Sequence, residues 1–197
     1  MSGFTRIPHF IGEVTRKVVF LRLVIACVAL AVAGTVVSAQ HRDHLTDPES
    51  ELIRYHQQLD KRIEVFIKAI DRRFAIINGL TQSKIKKQDK EEPDWGDVPK
   101  GTRAELLGDI AGILDEAITN IDDVSQHDEK SPLISRSLRR LTTAANGYVT
   151  QLNAMRTQTK DEDELLAIEK ALDNCGQIIE AGNKLPAPAP EKKKTKP

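Results

Sequence analysis

Apolar residues recur at helical spacing in four separate stretches of this chain, and strand-like alternation is absent. The most regular stretch runs from Asp47 to Leu80. Leu52, Leu59, Ile63, Phe66, Ile70, Phe74 and Ile77 follow one another there at intervals of seven, four, three, four, four and three residues. At about 100° per residue they fall on one narrow stripe, which predicts a single amphipathic helix over 47–80. Asp47 is read as its N-cap and Pro48 as its first helical residue. Glu49 and Glu51 answer the helix dipole, Glu64 and Lys68 pair at i,i+4, and Asn78-Gly79 supplies a left-handed stop. Such a helix is a rod about 50 Å long. Val65, Ala69, Ile76 and Leu80 form a second apolar stripe, rotated from the first. Either the following loop covers it, or it is the face of a homo-oligomer or protein-partner interface.

Residues 81–101 read TQSKIKKQDKEEPDWGDVPKG, with dense charge, Pro93, Pro99 and no periodicity. A connection this long is functional or packs along the helices. Trp95, the only tryptophan, is read as packing on the helical flank, with a ligand or partner anchor as the alternative. Thr102-Arg103-Ala104-Glu105 is a capping box opening the second helix, with a seam of Leu107, Ile110, Leu114, Ala117, Ile121 and Val124. Ser131-Pro132 opens the third, whose seam is Ile134, Leu138, Leu141, Ala145, Tyr148, Leu152 and Met155. The fourth starts near Asp161, has Leu165, Ile168, Leu172, Cys175 and Ile179 as its seam, and stops at Gly182-Asn183. The expected architecture is all-α. It is a four-helix bundle over 46–185 with one long helix (about 47–80) and a long 81–101 loop. Short connections predict that helices two to four run antiparallel in turn; the loop leaves the direction of the second relative to the first open.

Composition agrees with this pattern and adds a location. Charged residues make up 29% and aromatics 4%, a balance suited to solvated helices with aliphatic cores and unsuited to a β-sandwich. The formal net charge of zero gives no basic field for nucleic acid. The zero hides an asymmetry, because residues 1–39 carry Arg6, Arg16, Lys17 and Arg22 against Glu13 alone. A basic start followed by VVFLRLVIACVALAVAGTVVSA has the layout of a secretory signal, cleaved after Ala39 to leave Gln40 first. Residues 18–39 are also long enough for an uncleaved inner-membrane anchor. Val24-Ile25-Ala26-Cys27 resembles a lipoprotein processing box, although the apolar run continues beyond Cys27. All three readings put the bundle outside the cytoplasm, in the periplasm, secreted or anchored. Residues 186–197, PAPAPEKKKTKP, have nothing apolar to bury and predict a disordered tail. That tail is a solubilising end or a tether to an anionic envelope surface.

Candidate chemistry is sparse. His41 and His44 lie just after the predicted cleavage point, where a free amino terminus and imidazoles could bind copper or nickel; a polar leader is the plainer reading. The acidic turn around His127 lacks the spacing of a calcium loop. Paired Glu-x-x-His motifs, a haem-attachment motif, a nucleophile elbow and a glycine-rich phosphate loop are all missing from the sequence. Cys175 falls on an apolar seam and is read as a buried, inert thiol. Gly108 and Gly112 are read as allowing close helix packing, and Arg136, Arg139 and Arg140 as a solvated face. Leu45-Thr46-Asp47-Pro48-Glu49 is similar to the Leu-Thr-x-x-Gln motif of helical periplasmic stress chaperones. It covers five residues, ends in Glu and has no second copy, so it does not place the chain in that family. The expectation is a non-enzymatic, exported, envelope-associated protein without a cofactor, acting through protein interaction or a structural role. The alternative is a periplasmic metal-binding or stress/chaperone-like binding protein.

Overall fold

The computed structural model describes residues 43–80, 84–85 and 95–186, and the described residues are all-helical. The signal or anchor reading of 1–39, His41, most of the 81–94 stretch and the 187–197 tail lie outside them. Five helices are formed among the described residues: α1 (Asp47–Tyr55), α2 (Leu59–Ile77), α3 (Arg103–His127), α4 (Pro132–Gln158) and α5 (Glu162–Asn183). None of the described helices is long and apolar enough to cross a membrane.

The single 47–80 helix expected from the sequence is two helices, interrupted at His56–Gln58. Between Ile53 and Leu59 the only apolar side chain is Tyr55, and Tyr55 is exposed. Nothing there holds a continuous rod against the core. The Asp47 cap is also corrected. Thr46 is the N-cap, and Thr46 and Glu49 form a reciprocal capping box in which each side chain takes the other's backbone N–H. At the far end of α2 the expected stop is present. Gly79 has φ +80°, its N–H donates to the Ile76 carbonyl, and the Leu80 N–H donates to Ala75. This Schellman closure satisfies carbonyls that the helix end would otherwise leave bare.

The other three helices begin where their caps predict. Thr102 and Glu105 close the capping box of α3, Pro132 opens α4, and Asp161 accepts the Glu164 N–H at the start of α5. The seams meet in one core built around Ile63, Phe66, Ile70, Leu107, Ile110, Leu114, Leu141, Leu152, Ile168 and Cys175, all fully buried.

Cross-helix pairs fix the directions. Asp60 with Arg136, Glu64 with Arg140 and Asp71 with Tyr148 ascend together, so α2 and α4 run parallel. Arg103 with Glu164 and the Ala111 carbonyl with Asn174 make α3 and α5 parallel. Arg156 with Glu169 and the Ile178 carbonyl with Thr142 make α4 and α5 antiparallel. α3 and α4 each pack on both α2 and α5, yet touch one another least, and α2 and α5 do not meet. Helices two to four of the sequence reading thus alternate in direction as expected. Consecutive α3 and α4, however, sit across the core from each other.

Candidate functional site

The densest chemistry lies where α1 folds back on α2. Glu49 is fully buried, and so, to within a few per cent, are Arg72, Arg73 and Asp109. Glu49 Oε1 accepts from Arg72 Nη1 at 2.8 Å and from Arg73 Nη1 at 2.9 Å. Its Oε2 accepts from Arg73 Nη2 at 2.8 Å and from the Thr46 N–H at 3.0 Å. Arg73 also donates to the Ala69 and His44 carbonyls, and its Nε lies 3.7 Å from Asp109 Oδ2 on α3. Arg72 Nη2 reaches the Asp97 carbonyl at 3.1 Å. Burial by itself pushes the Glu49 carboxyl up. The Arg73 hydrogen bond and charge, the Thr46 amide and the Arg72 charge outweigh it and hold the group below its ordinary value. On a continuous helix, Glu49 and Arg72 would be about 35 Å apart. Their contact is the physical reason for the break at His56–Gln58.

Two close approaches dock the surrounding loops on this cluster. Gly96, at φ +64°, lies against Pro48 at the first turn of α1; a Cβ there would collide with Pro48 Cγ. Gly112 receives the His44 ring, where a Cβ would meet His44 Cγ at 2.9 Å. The Gly108-x-x-x-Gly112 pair therefore admits the His44 side chain, from the residues just before α1, at Gly112 in place of the expected helix neighbour, and a Cβ at Gly108 would meet nothing within 4 Å.

The second apolar stripe of α2 has two fates. Val65 and Ala69 are buried, and Trp95 is 4% exposed and packs in the same core cluster. Lys68 Nζ stands 4.9 Å and Arg72 Cζ 5.3 Å from the Trp95 ring centroid, so two cations flank the indole. Arg72 occupies a position of that stripe itself, between Ala69 and Ile76. Ile76 and Leu80, farther along, remain partly exposed. A groove of about 650 Å³ runs between α2 and α4, with Ile67, Ala75, Ile85 and Ala144 among its apolar lining and Lys68, Arg72, Arg139 and Arg140 among its charges.

The expected Glu64–Lys68 pair is replaced: Glu64 takes Lys61 and Arg140, and Lys68 turns to Trp95. The three arginines of α4 keep contact with solvent, as expected, and each also has a partner. Arg136 pairs with Asp60, Arg140 with Glu64, and Arg139 donates to the Pro186 carbonyl.

No family model, curated protein or solved structure matches this chain. The site is therefore read from its own geometry.

Of the two candidate metal ligands, His41 lies outside the described residues and His44 is engaged with Glu116, its Nε2 2.7 Å from Oε2. Among the described residues no group of three or more His, Cys, Asp or Glu is placed to hold a metal ion. Cys175 is fully buried and burial pushes its thiol up to about 12, so it is neutral and unreactive at working pH. Tyr148 donates to Asp71 Oδ1 at 2.9 Å. Burial first, and then the Asp71 charge, raise its phenol far above the ordinary value, so it remains a protonated donor. Asp71 is raised in turn by burial, partly offset by that hydrogen bond.

Glu49, Arg72, Arg73 and Asp109 were absent from the sequence-derived candidates. A signal existed. Arg73 lies three residues after Ile70 and seven after Phe66, on the core stripe itself, and an arginine there must bring a carboxylate inside with it.

Proposed function

We propose that this chain is an exported, non-enzymatic protein of the bacterial-type cell envelope, acting through protein interaction from a four-helix bundle of α2–α5. The export reading rests on the basic, then apolar, residues of 1–39, with cleavage after Ala39 and the bundle in the periplasm or secreted. An uncleaved inner-membrane anchor over 18–39 is the alternative for the same segment. The non-enzymatic reading is supported by how the titratable groups are used. Glu49, Arg72, Arg73 and Asp109 neutralise one another, His44 faces Glu116, and Tyr148 and Cys175 are locked in their neutral forms.

One observation carries the interaction reading. Along a single face of α2, Val65 and Ala69 are buried in the cluster that holds Trp95, whereas Ile76 and Leu80 keep part of their surface in solvent, and Ala75 next to Ile76 lines the α2–α4 groove. An apolar face left partly uncovered at a helix end is the kind of surface a partner polypeptide covers, in the simplest case a second copy of this chain. The test combines light scattering of the mature protein over a wide concentration range with crosslinking in envelope fractions, for wild type and Ile76→Asp. Association or a crosslinked partner in the wild type, lost in the variant with an unchanged urea midpoint, supports the reading. A strict monomer with no crosslinked partner on this face removes it.

A further inference from the structure

Residues 43–46 form a strap that leads into α1. Besides the Thr46 amide on Glu49, contacts of Leu45 and His44 hold the strap down. Leu45 is buried in the core, the His44 carbonyl accepts from Arg73 Nη2 at 2.6 Å, and the His44 ring sits on Gly112 with Nε2 2.7 Å from Glu116 Oε2. Both members of the last pair keep some solvent contact, with side chains 26% and 34% exposed, so the ring can exchange its proton with water. The charged groups facing it are Glu116 and Asp109 on α3, Asp43 on the strap, and the Arg73 guanidinium on α2, itself neutralised by Glu49.

We propose that His44 is an acid-set latch: as an imidazolium it clamps the strap to α3 through Glu116, and loss of its proton to water loosens the strap. The Glu116 hydrogen bond raises the His44 pKa, burial opposes it, and the charges of Glu116, Asp43 and Asp109 add to the rise, leaving it above 6.5. A group raised on folding contributes stability that is fully present below its unfolded value and is lost as pH climbs through the folded one. At the acid end the same strap depends on the Glu49 carboxylate, which accepts the Thr46 amide and is lowered from 4.5. The strap is therefore held most firmly between those two reference values, and it opens on the alkaline side by deprotonation of His44.

The test uses the full chain. The Thr46 amide, which donates to Glu49 Oε2, reports strap opening by hydrogen exchange corrected for the intrinsic rate. Its protection falls between about pH 5.5 and 8.5, tenfold for each unit by which folding raises the His44 pKa. His44→Gln, which keeps an amide donor without the charge, abolishes that fall. The wild-type His44 ring, followed by NMR, titrates above 6.5, and Glu116→Gln brings the midpoint down. A wild-type midpoint at or below 6.5, flat Thr46 protection, or an equal fall in His44→Gln overturns the latch. The wild-type titration decides alone if a variant does not fold.

Discussion

Replacing Glu49 by glutamine tests the architecture more severely than any apolar truncation. The amide can still accept through one oxygen from Arg72 and Arg73. Its NH₂ then faces the Arg73 Nη2 and Thr46 N–H donors that Oε2 now receives. Two guanidiniums that are 3% and 1% exposed lose their main counter-charge. Breaking a buried ion pair from one side costs about 3–5 kcal/mol. Asp109, 3.7 Å from Arg73 Nε, remains as partial compensation and places the expectation at the low end, about 3 kcal/mol. For a domain of this size that is a fall in Tm of about 6–12 °C. Thr46→Ala, which removes only the cap, costs about 1 kcal/mol. Urea unfolding at neutral pH separates the two, and a double-mutant cycle with Arg73→Met isolates the pair, since Arg73→Met costs less once Glu49 is already neutral. The pH dependence carries an independent sign. Glu49 is lowered from 4.5 on folding, so the wild-type advantage over Glu49→Gln is present above that value and disappears as pH falls through the folded one. A Glu49→Gln protein within about 1 kcal/mol of wild type at pH 7, no worse than Thr46→Ala, would refute the account of α1 as held by buried charge.

Two further substitutions probe the close approaches. Gly96→Ala places a side chain at φ +64° and against Pro48. It should cost about 1–2 kcal/mol from the backbone alone. Trp95 emission should shift to longer wavelength as the buried indole meets water; an unchanged spectrum and Tm would contradict the docking described. Gly182→Ala drives a Cβ into Thr142 on α4, an overpacking expected to cost about 1–3 kcal/mol. Thr142→Ala in the same chain should recover most of that loss in thermal melts, and a double variant no better than Gly182→Ala would show that the contact is not the cause.

Much of the helical framework was legible because its punctuation is local. Thr102 with Glu105, Pro132 and Asp161 announce α3, α4 and α5 through groups within one turn of the helix start, and Asn78-Gly79 closes α2 in the same local way. Periodicity could not reveal the break at His56–Gln58, because its cause lies 23 residues downstream, in the arginine that Glu49 must reach. The same non-local contact converts Glu49 from a residue answering a helix dipole into the buried centre of a charge cluster. Trp95 was expected on the helical flank and lies buried beside α2, but of the cations bracketing it Lys68 was assigned to Glu64 and Arg72 was not singled out. His44 was considered for a metal. Its partner Glu116 sits 72 residues away on α3, and only Gly112, which leaves room for the ring, hinted that something lies there.

The crossing of α3 and α4 to opposite sides of the core bears on how the chain assembles. Neighbouring helices in sequence usually form hairpins first, at small entropic cost. Here the α3–α5 seam joins residues such as Ala111 and Asn174, 63 apart, and the α2–α4 seam joins Asp60 and Arg136, 76 apart. Each seam closes a loop with a whole helix inside it, a topology that slows folding. Because α5, the last of the described helices, packs on both α3 and α4, the faces of those two helices that meet it stay uncovered until it has been made.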